Sequence, residues 1–187
     1  MPSVIGVVGP IGAGKDTVAD YISSNYGYAI VSFRDIVREE TEKAGLEPTR
    51  ENLQKIGGGY REKYGKDYWA RKVLEKAKKL EKAVIKEMRT FEDVKVQKGY
   101  FKDKMTVILV DTDGETRFER LKKRARLSDP QTFEEFRKQE DKEKELRFTD
   151  SFAMADITIE NNGALDDLYK KIGTVMKKIN NRAKAQG

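Results

Sequence analysis

Gly9-Pro10-Ile11-Gly12-Ala13-Gly14-Lys15-Asp16-Thr17 follows directly on the apolar run Val4-Ile5-Gly6-Val7-Val8 and leads into Val18, Tyr21 and Ile22 at helical spacing. The order is strand, glycine-rich turn, helix. Glycines let the backbone turn with its N–H groups inward, forming a nest for anionic oxygens at a helix N-terminus. Lys15 can reach the terminal groups of a polyphosphate, and a hydroxyl at the helix start can bond phosphate or help hold Mg²⁺. The general pattern is G-x-x-x-x-G-K-[S/T], whereas here Asp16 stands at the hydroxyl position and Thr17 follows one residue later. A carboxylate beside phosphates repels them unless a cation stands between. Asp16 is therefore either an outer-sphere partner of Mg²⁺ or a helix-start acid facing away. The expected phosphate-binding set is Gly9, Gly12, Ala13, Gly14, Lys15, Asp16 and Thr17, with Thr17 and Asp16 as the metal-side donors. A glycine turn that binds nothing would need the lysine and three glycines to coincide by accident.

Four more short β-rich runs follow: Tyr28–Val31, Ala83–Ile85, Thr106–Val110 and Ile157–Ile159. Amphipathic stretches separate them. Trp69, Val73, Ala77 and Leu80 form one apolar stripe, and Leu165, Leu168, Ile172, Val175, Met176 and Ile179 another, both at a 3.6-residue period and both read as core-facing. Five strands alternating with helices predict an α/β fold with a parallel sheet, right-handed crossovers and helices on its flanks. At 187 residues one domain is expected, spanning 1–187. Gly57-Gly58-Gly59 interrupts a helical pattern from about Thr49 to Lys63, as a hinge between two helices or as a turn, because each glycine costs ~1 kcal/mol there relative to alanine.

Composition narrows the chemistry. The chain has no cysteine and no histidine, which removes disulfides, thiolate nucleophiles, zinc-thiolate sites and the usual general base. What is left is carboxylates, lysine, arginine, hydroxyls, backbone amides and a hard metal ion. The 38 basic and 32 acidic residues give a net charge of +6, but they are interleaved. Pairs such as Glu39 with Lys43 and Glu75 with Lys79 suggest solvated helix faces, and Lys72, Lys76 and Lys79 share one such face. A nucleic-acid partner is not expected, since no aromatic cluster accompanies the basic residues. No apolar run approaches the ~20 residues of a membrane span, and the start Met1-Pro2-Ser3-Val4 has no charged leader region. A cytoplasmic protein is the expectation.

Residues 117–147 are almost strandless and heavily charged, with a turn expected at Ser128-Asp129-Pro130. Arg117, Arg120 and Arg124 fall at 0, +3 and +7, lining one helix face, with Phe118, Leu121 and Ala125 as an apolar face that could fix the helix on the sheet. Arg126 and Arg137 flank the turn. The segment reads either as a closing lid or as a solvated hairpin neutralised by Glu119, Glu134, Glu135 and Asp141.

Several motifs together resemble the nucleotide kinases. Gly12-Ala13-Gly14-Lys15-Asp16-Thr17 is similar to the G-A-G-K-G-T of adenylate kinases, and the G-K-D-T form occurs in bacteriophage deoxynucleoside-monophosphate kinases. Ser32-Phe33-Arg34-Asp35-Ile36-Val37-Arg38 resembles the adenylate-kinase segment that binds the acceptor. Asp35–Thr41, Tyr60–Gly65, Thr116–Leu121 and Ala155–Asn161 extend the likeness almost end to end to an archaeal group of adenylate-kinase-related, dephospho-coenzyme A kinase-like proteins. The resemblance implies a P-loop kinase domain with an acceptor-binding helical region at about 33–66 and a lid at about 117–147. It implies ATP and Mg²⁺ as cofactors and a small phosphorylated acceptor, either a nucleoside monophosphate or a dephospho-coenzyme A-like molecule. By the same match Arg38 and Arg89, with Arg126 and Arg137, would hold the acceptor. Asp35 would orient the attacking group. Lys15, Arg120 and Arg124 would act on the transferring phosphoryl and on ATP, and Asn162, in Asn161-Asn162-Gly163, would lie by the adenine unless that stretch is an ordinary turn. One departure stands out: the family's third strand ends in D-G-x-R, and this chain has Lys86-Glu87-Met88-Arg89. With Lys86 at the aspartate position, the alternative is a nucleotide-binding module with degenerate or no kinase activity.

Overall fold

The computed structural model describes residues 3–126, 129–145 and 148–185. Strands β1 (Ser3–Val8), β2 (Ala29–Ser32), β3 (Lys82–Lys86), β4 (Met105–Asp111) and β5 (Ile157–Glu160) form one all-parallel sheet in the order β2-β3-β1-β4-β5. All five predicted strands are present. Side-chain alternation along β1 explains why the sheet needs cover on both faces. Val4 and Val8 pack with Trp69, Val73, Val94 and Phe101 on one side, while Ile5 and Val7 pack with Val18, Ile22, Ile172 and Met176 on the other. Helices α1 (Lys15–Tyr26) and α8 (Leu165–Ala185) supply the second layer, and α2 (Phe33–Lys43), α3 (Arg50–Tyr64), α4 (Tyr68–Ala77) and α5 (Phe91–Phe101) supply the first. The remaining helices, α6 (Gly114–Arg124) and α7 (Phe133–Glu145), lie between β4 and β5.

The glycine run is neither hinge nor turn: α3 continues unbroken through Gly57-Gly58-Gly59. Tertiary contacts outweigh the local propensity. Thr49 caps the helix by accepting from Asn52 N, and the buried Trp69 donates its indole N–H to Gly57 O at 2.8 Å. The i,i+4 charge pairs expected on the surface are also replaced. Lys43 meets Glu40 within α2 (2.9 Å), and Lys78 meets Glu75 (2.7 Å), because α4 ends at Ala77 and carries Lys79 off the helical face. Lys76 bonds Glu39 (2.6 Å) and Lys72 bonds Glu40 (3.3 Å), so two of the three lysines tie α4 to α2 rather than facing solvent unpaired. Leu80 also lies beyond α4, and Leu165, first in α8, is half exposed.

The apolar face of α6 does not rest on the sheet. Phe118 and Leu121 pack against Phe136 of α7 and Ile11 of the glycine loop, while Ala125 is exposed with a left-handed φ of 49°. The segment between β4 and β5 is thus anchored to the loop rather than to the sheet's flank. Ser128 of the predicted turn and Arg147, at the end of the predicted lid, lie outside the described residues.

Candidate functional site

The loop 9–14 joins β1 to α1 with two glycines that no other residue could replace cheaply. Gly14, at the N-cap of α1, has φ 96° and ψ 20°, and a β-carbon there would come within 2.5 Å of Asn161 Nδ2. A β-carbon on Gly9 (φ 147°) would overlap Val110 O. Among the described residues no side chain caps α1 or α4, whereas Ser32, Thr49, Thr90 and Asp113 cap α2, α3, α5 and α6, and only α1 starts at the glycine loop. The first amides of α1 are thereby left for an anion.

Neighbouring segments hold the loop open. Asn161 Nδ2 (2.8 Å) and Thr112 Oγ1 (3.2 Å) both donate to Ala13 O. Arg117, buried, donates to Thr112 O (2.8 Å) and Ile11 O (3.3 Å), pairs with Glu140 of α7 (2.5 Å) and lies over the Phe136 ring. Lys15 Nζ donates to Pro10 O at 2.6 Å. Burial pulls its pKa from 10.5 to about 8, opposed by the Glu143 and Asp16 carboxylates and reinforced by Arg89 and Arg117. Glu143 shows the complement: burial raises its pKa, while Lys15, Arg89 and Arg117 pull it back. A cationic cluster from the loop, the β3–α5 turn and α6 therefore faces a carboxylate of α7.

Beside the loop lies a cavity of about 290 Å³ lined by Gly14, Thr17, Arg120, Asn161, Gly163, Leu165 and Leu168. Arg120 reaches Asn161 Oδ1 only at 3.5 Å through one nitrogen, and its other terminal nitrogen is buried without a hydrogen-bond partner among the described residues.

The residues singled out in the sequence divide. Gly9, Gly12, Ala13, Gly14, Lys15, Thr17 and Arg120 come together around the loop and cavity. Asn162 is turned away, its Oδ1 accepting from Asp113 N at 3.0 Å, and Asn161 and Gly163 line the cavity instead. Arg124 makes a two-point ion pair with Asp129, which is buried, and the pair holds the Asp129 carboxyl below the usual carboxylate range. Arg126, exposed, bonds that same carboxylate through its backbone N, and Arg137 is exposed on α7. Asp35, Arg38 and Arg89 are exposed. Asp35 opens α2, where Ser32 Oγ accepts from its N–H, and Arg89 is fixed through its backbone N to the buried Asp93, which also pairs with Arg61 (3.2 Å).

Asp16 is paired with Lys86 at 3.3 Å. Glu87 turns back at φ 68°, its carboxylate receiving Ser32 Oγ (2.6 Å), Arg34 N (3.0 Å) and the Arg34 guanidinium (2.7 Å). No group of three or more metal-binding side chains converges among the described residues. The Thr17 hydroxyl fits a divalent cation that arrives on phosphates with its own waters, not one held in a protein cage, while Asp16 is engaged by Lys86. Sequence reading missed Glu140 and Glu143. Their spacing from Phe136, +4 and +7, places all three on one helix face and was the available signal.

Residues 8–137 match the family model described as an AAA domain. A UPF0200 protein of Thermococcus gammatolerans is 36% identical over 181 residues, covering 94% of this chain and 95% of its own length. A gluconokinase from Sinorhizobium meliloti superposes with a TM-score of 0.65 at 12% identity, covering 100% of this chain and 98% of its own. A dephospho-CoA kinase from Campylobacter jejuni gives 0.59 at 18%, covering 96% and 98%. The fold is that of the P-loop kinases, and the chain belongs to the UPF0200 family and carries the AAA-domain match.

Proposed function

We propose that this protein is an ATP-dependent phosphotransferase that moves the γ-phosphate to a small nucleotide-type acceptor, a nucleoside monophosphate or a dephospho-coenzyme A-like molecule. The observation that carries the reading is the start of α1, with no side-chain cap and with Lys15 behind left-handed glycines, beside a cavity lined by Gly14, Thr17, Arg120 and Asn161. The loop amides and Lys15 bind the β- and γ-phosphates, and Arg120 with Asn161 receives the base. A divalent cation, when carried in on the nucleotide, supplies charge neutralisation between the terminal phosphates. Arg38 and Arg89 face the acceptor's phosphate, and Asp35 orients its attacking group. Helices α6 and α7 act as the lid that excludes water. Arg124 contributes to transfer only once it leaves Asp129, while the exposed Arg126 and Arg137 are available to the acceptor.

Asp35 discriminates between the acceptors. A monophosphate is already anionic and needs no base, whereas a ribose hydroxyl must give up a proton. Asp35→Asn is expected to leave transfer to monophosphates within about threefold and to slow transfer to a hydroxyl at least ~100-fold. Product assays with ATP, Mg²⁺ and a panel of acceptors test the whole reading. Turnover above background supports it, and nucleotide binding without product for any acceptor favours the binding-module alternative. That alternative draws on one specific feature, the Lys86–Asp16 pair at the metal side of the loop.

A further inference from the structure

Asp16 introduces a negative charge directly after Lys15, in the first turn of α1, where the helix dipole and free amides invite an anion. A bound polyphosphate and this carboxylate compete for the same positive potential. The chain supplies an answer from another strand. Lys86 closes β3, the neighbour of β1, and its ammonium lies 3.3 Å from Asp16 and 3.9 Å from Asp20. Its side chain is 20% exposed against 56% and 59% for the two carboxylates, so the lysine is the fixed member and the acids lean on it. Arg124 also acts on Asp16 through space, but its guanidinium is held by Asp129.

Resting on the nucleotide reading of the loop, we propose that Lys86 is the charge-compensating residue that lets it accept a polyphosphate despite Asp16. The pair does two things. It cancels the carboxylate's repulsion of the phosphates, and it occupies Asp16 so that a divalent cation gains little from it. Nucleotide binding without a divalent cation then depends on Lys86. Without Lys86, the freed carboxylate both repels phosphate and offers an oxygen to Mg²⁺.

Calorimetric titration of ADP into the wild-type chain and its variants, in EDTA and in excess Mg²⁺, tests this. Lys86→Ala is expected to weaken binding in EDTA at least about tenfold, with a smaller loss in Mg²⁺. Lys86→Met, which keeps the length of the stem without the charge, should behave like Lys86→Ala, and Lys86→Arg should stay within about threefold of wild type. Asp16→Asn should tighten binding in EDTA by about threefold, and added to Lys86→Ala it should recover most of the loss. Melting temperatures of the free variants confirm that each is folded. A double variant as weak as Lys86→Ala alone, or a Lys86→Ala that binds normally in EDTA, overturns the proposal. Those outcomes leave the nucleotide reading standing. A wild-type chain that binds no nucleotide in either buffer overturns both.

Discussion

Lys15 shows what a ligand site costs a protein before its ligand arrives. Its ammonium is packed inside the loop with a carbonyl for a partner, and burial brings its pKa to about 8. A group whose folded pKa lies below its unfolded value holds back stability at low pH. The deficit is full below about 8 and disappears as pH rises towards 10.5. At neutral pH the fall from 10.5 to about 8 caps the deficit at ~3 kcal/mol. Lys15→Met is therefore expected to raise the melting temperature of the ligand-free chain by several degrees at pH 7, with the gain shrinking at pH 10, while removing all stabilisation by added nucleotide. Thermal melts at both pH values check this, and a variant melting below wild type at pH 7 contradicts it. The loop residues around Lys15 were legible in the sequence because their pattern is local. Asn161 and Lys86 were not, since their roles arise only when distant segments meet, and for Glu140 the sequence shows its place on the Phe136 face of a helix but not its partner.

At the level of elements, two features separate propensity from packing. Three glycines in sequence argue against a helix, yet α3 runs through them. Beta-carbons at Gly58 and Gly59 would meet nothing within 4 Å. Gly58→Ala should therefore stabilise the chain by about 1 kcal/mol, read as a higher denaturation midpoint with unchanged slope. A loss of stability would mean that the segment is a turn after all. The segment between β4 and β5 is organised by charge. Asp129 is buried, holds Arg124 at two points and accepts from Arg126 N. Its folded pKa is depressed, so this contribution is present above the carboxylate's ordinary pKa and is lost as pH falls through the folded value. Asp129→Asn should cost about 1–3 kcal/mol at pH 7 and much less in acid. Hydrogen exchange in α6 should rise with it, and an equal cost at both pH values would remove the ion pair from the account. The arginine periodicity identified α6, but helical spacing alone could not tell that Arg117 would be buried as a clamp and Arg124 be taken by an acid.

Across the whole molecule, the five strands and their parallel pairing were readable because buried β-branched runs alternate with amphipathic helices, and that rhythm permits few topologies. The order β2-β3-β1-β4-β5 brings the ends of β1, β3 and β4 to one edge of the sheet, where the loop, Lys86 and the start of α6 meet. Over that edge α7 presents Glu140 and Glu143 to Arg117, Lys15 and Arg89. Two carboxylates thus face this cationic cluster, and Glu143 competes with the proposed phosphates for Lys15. The most direct test of the account is calorimetric titration of magnesium–ATP into the wild-type chain and Lys15→Met side by side. The account expects saturable binding of one nucleotide per wild-type chain and none to the folded variant. Equal binding by both, or no heat from the wild type, contradicts it.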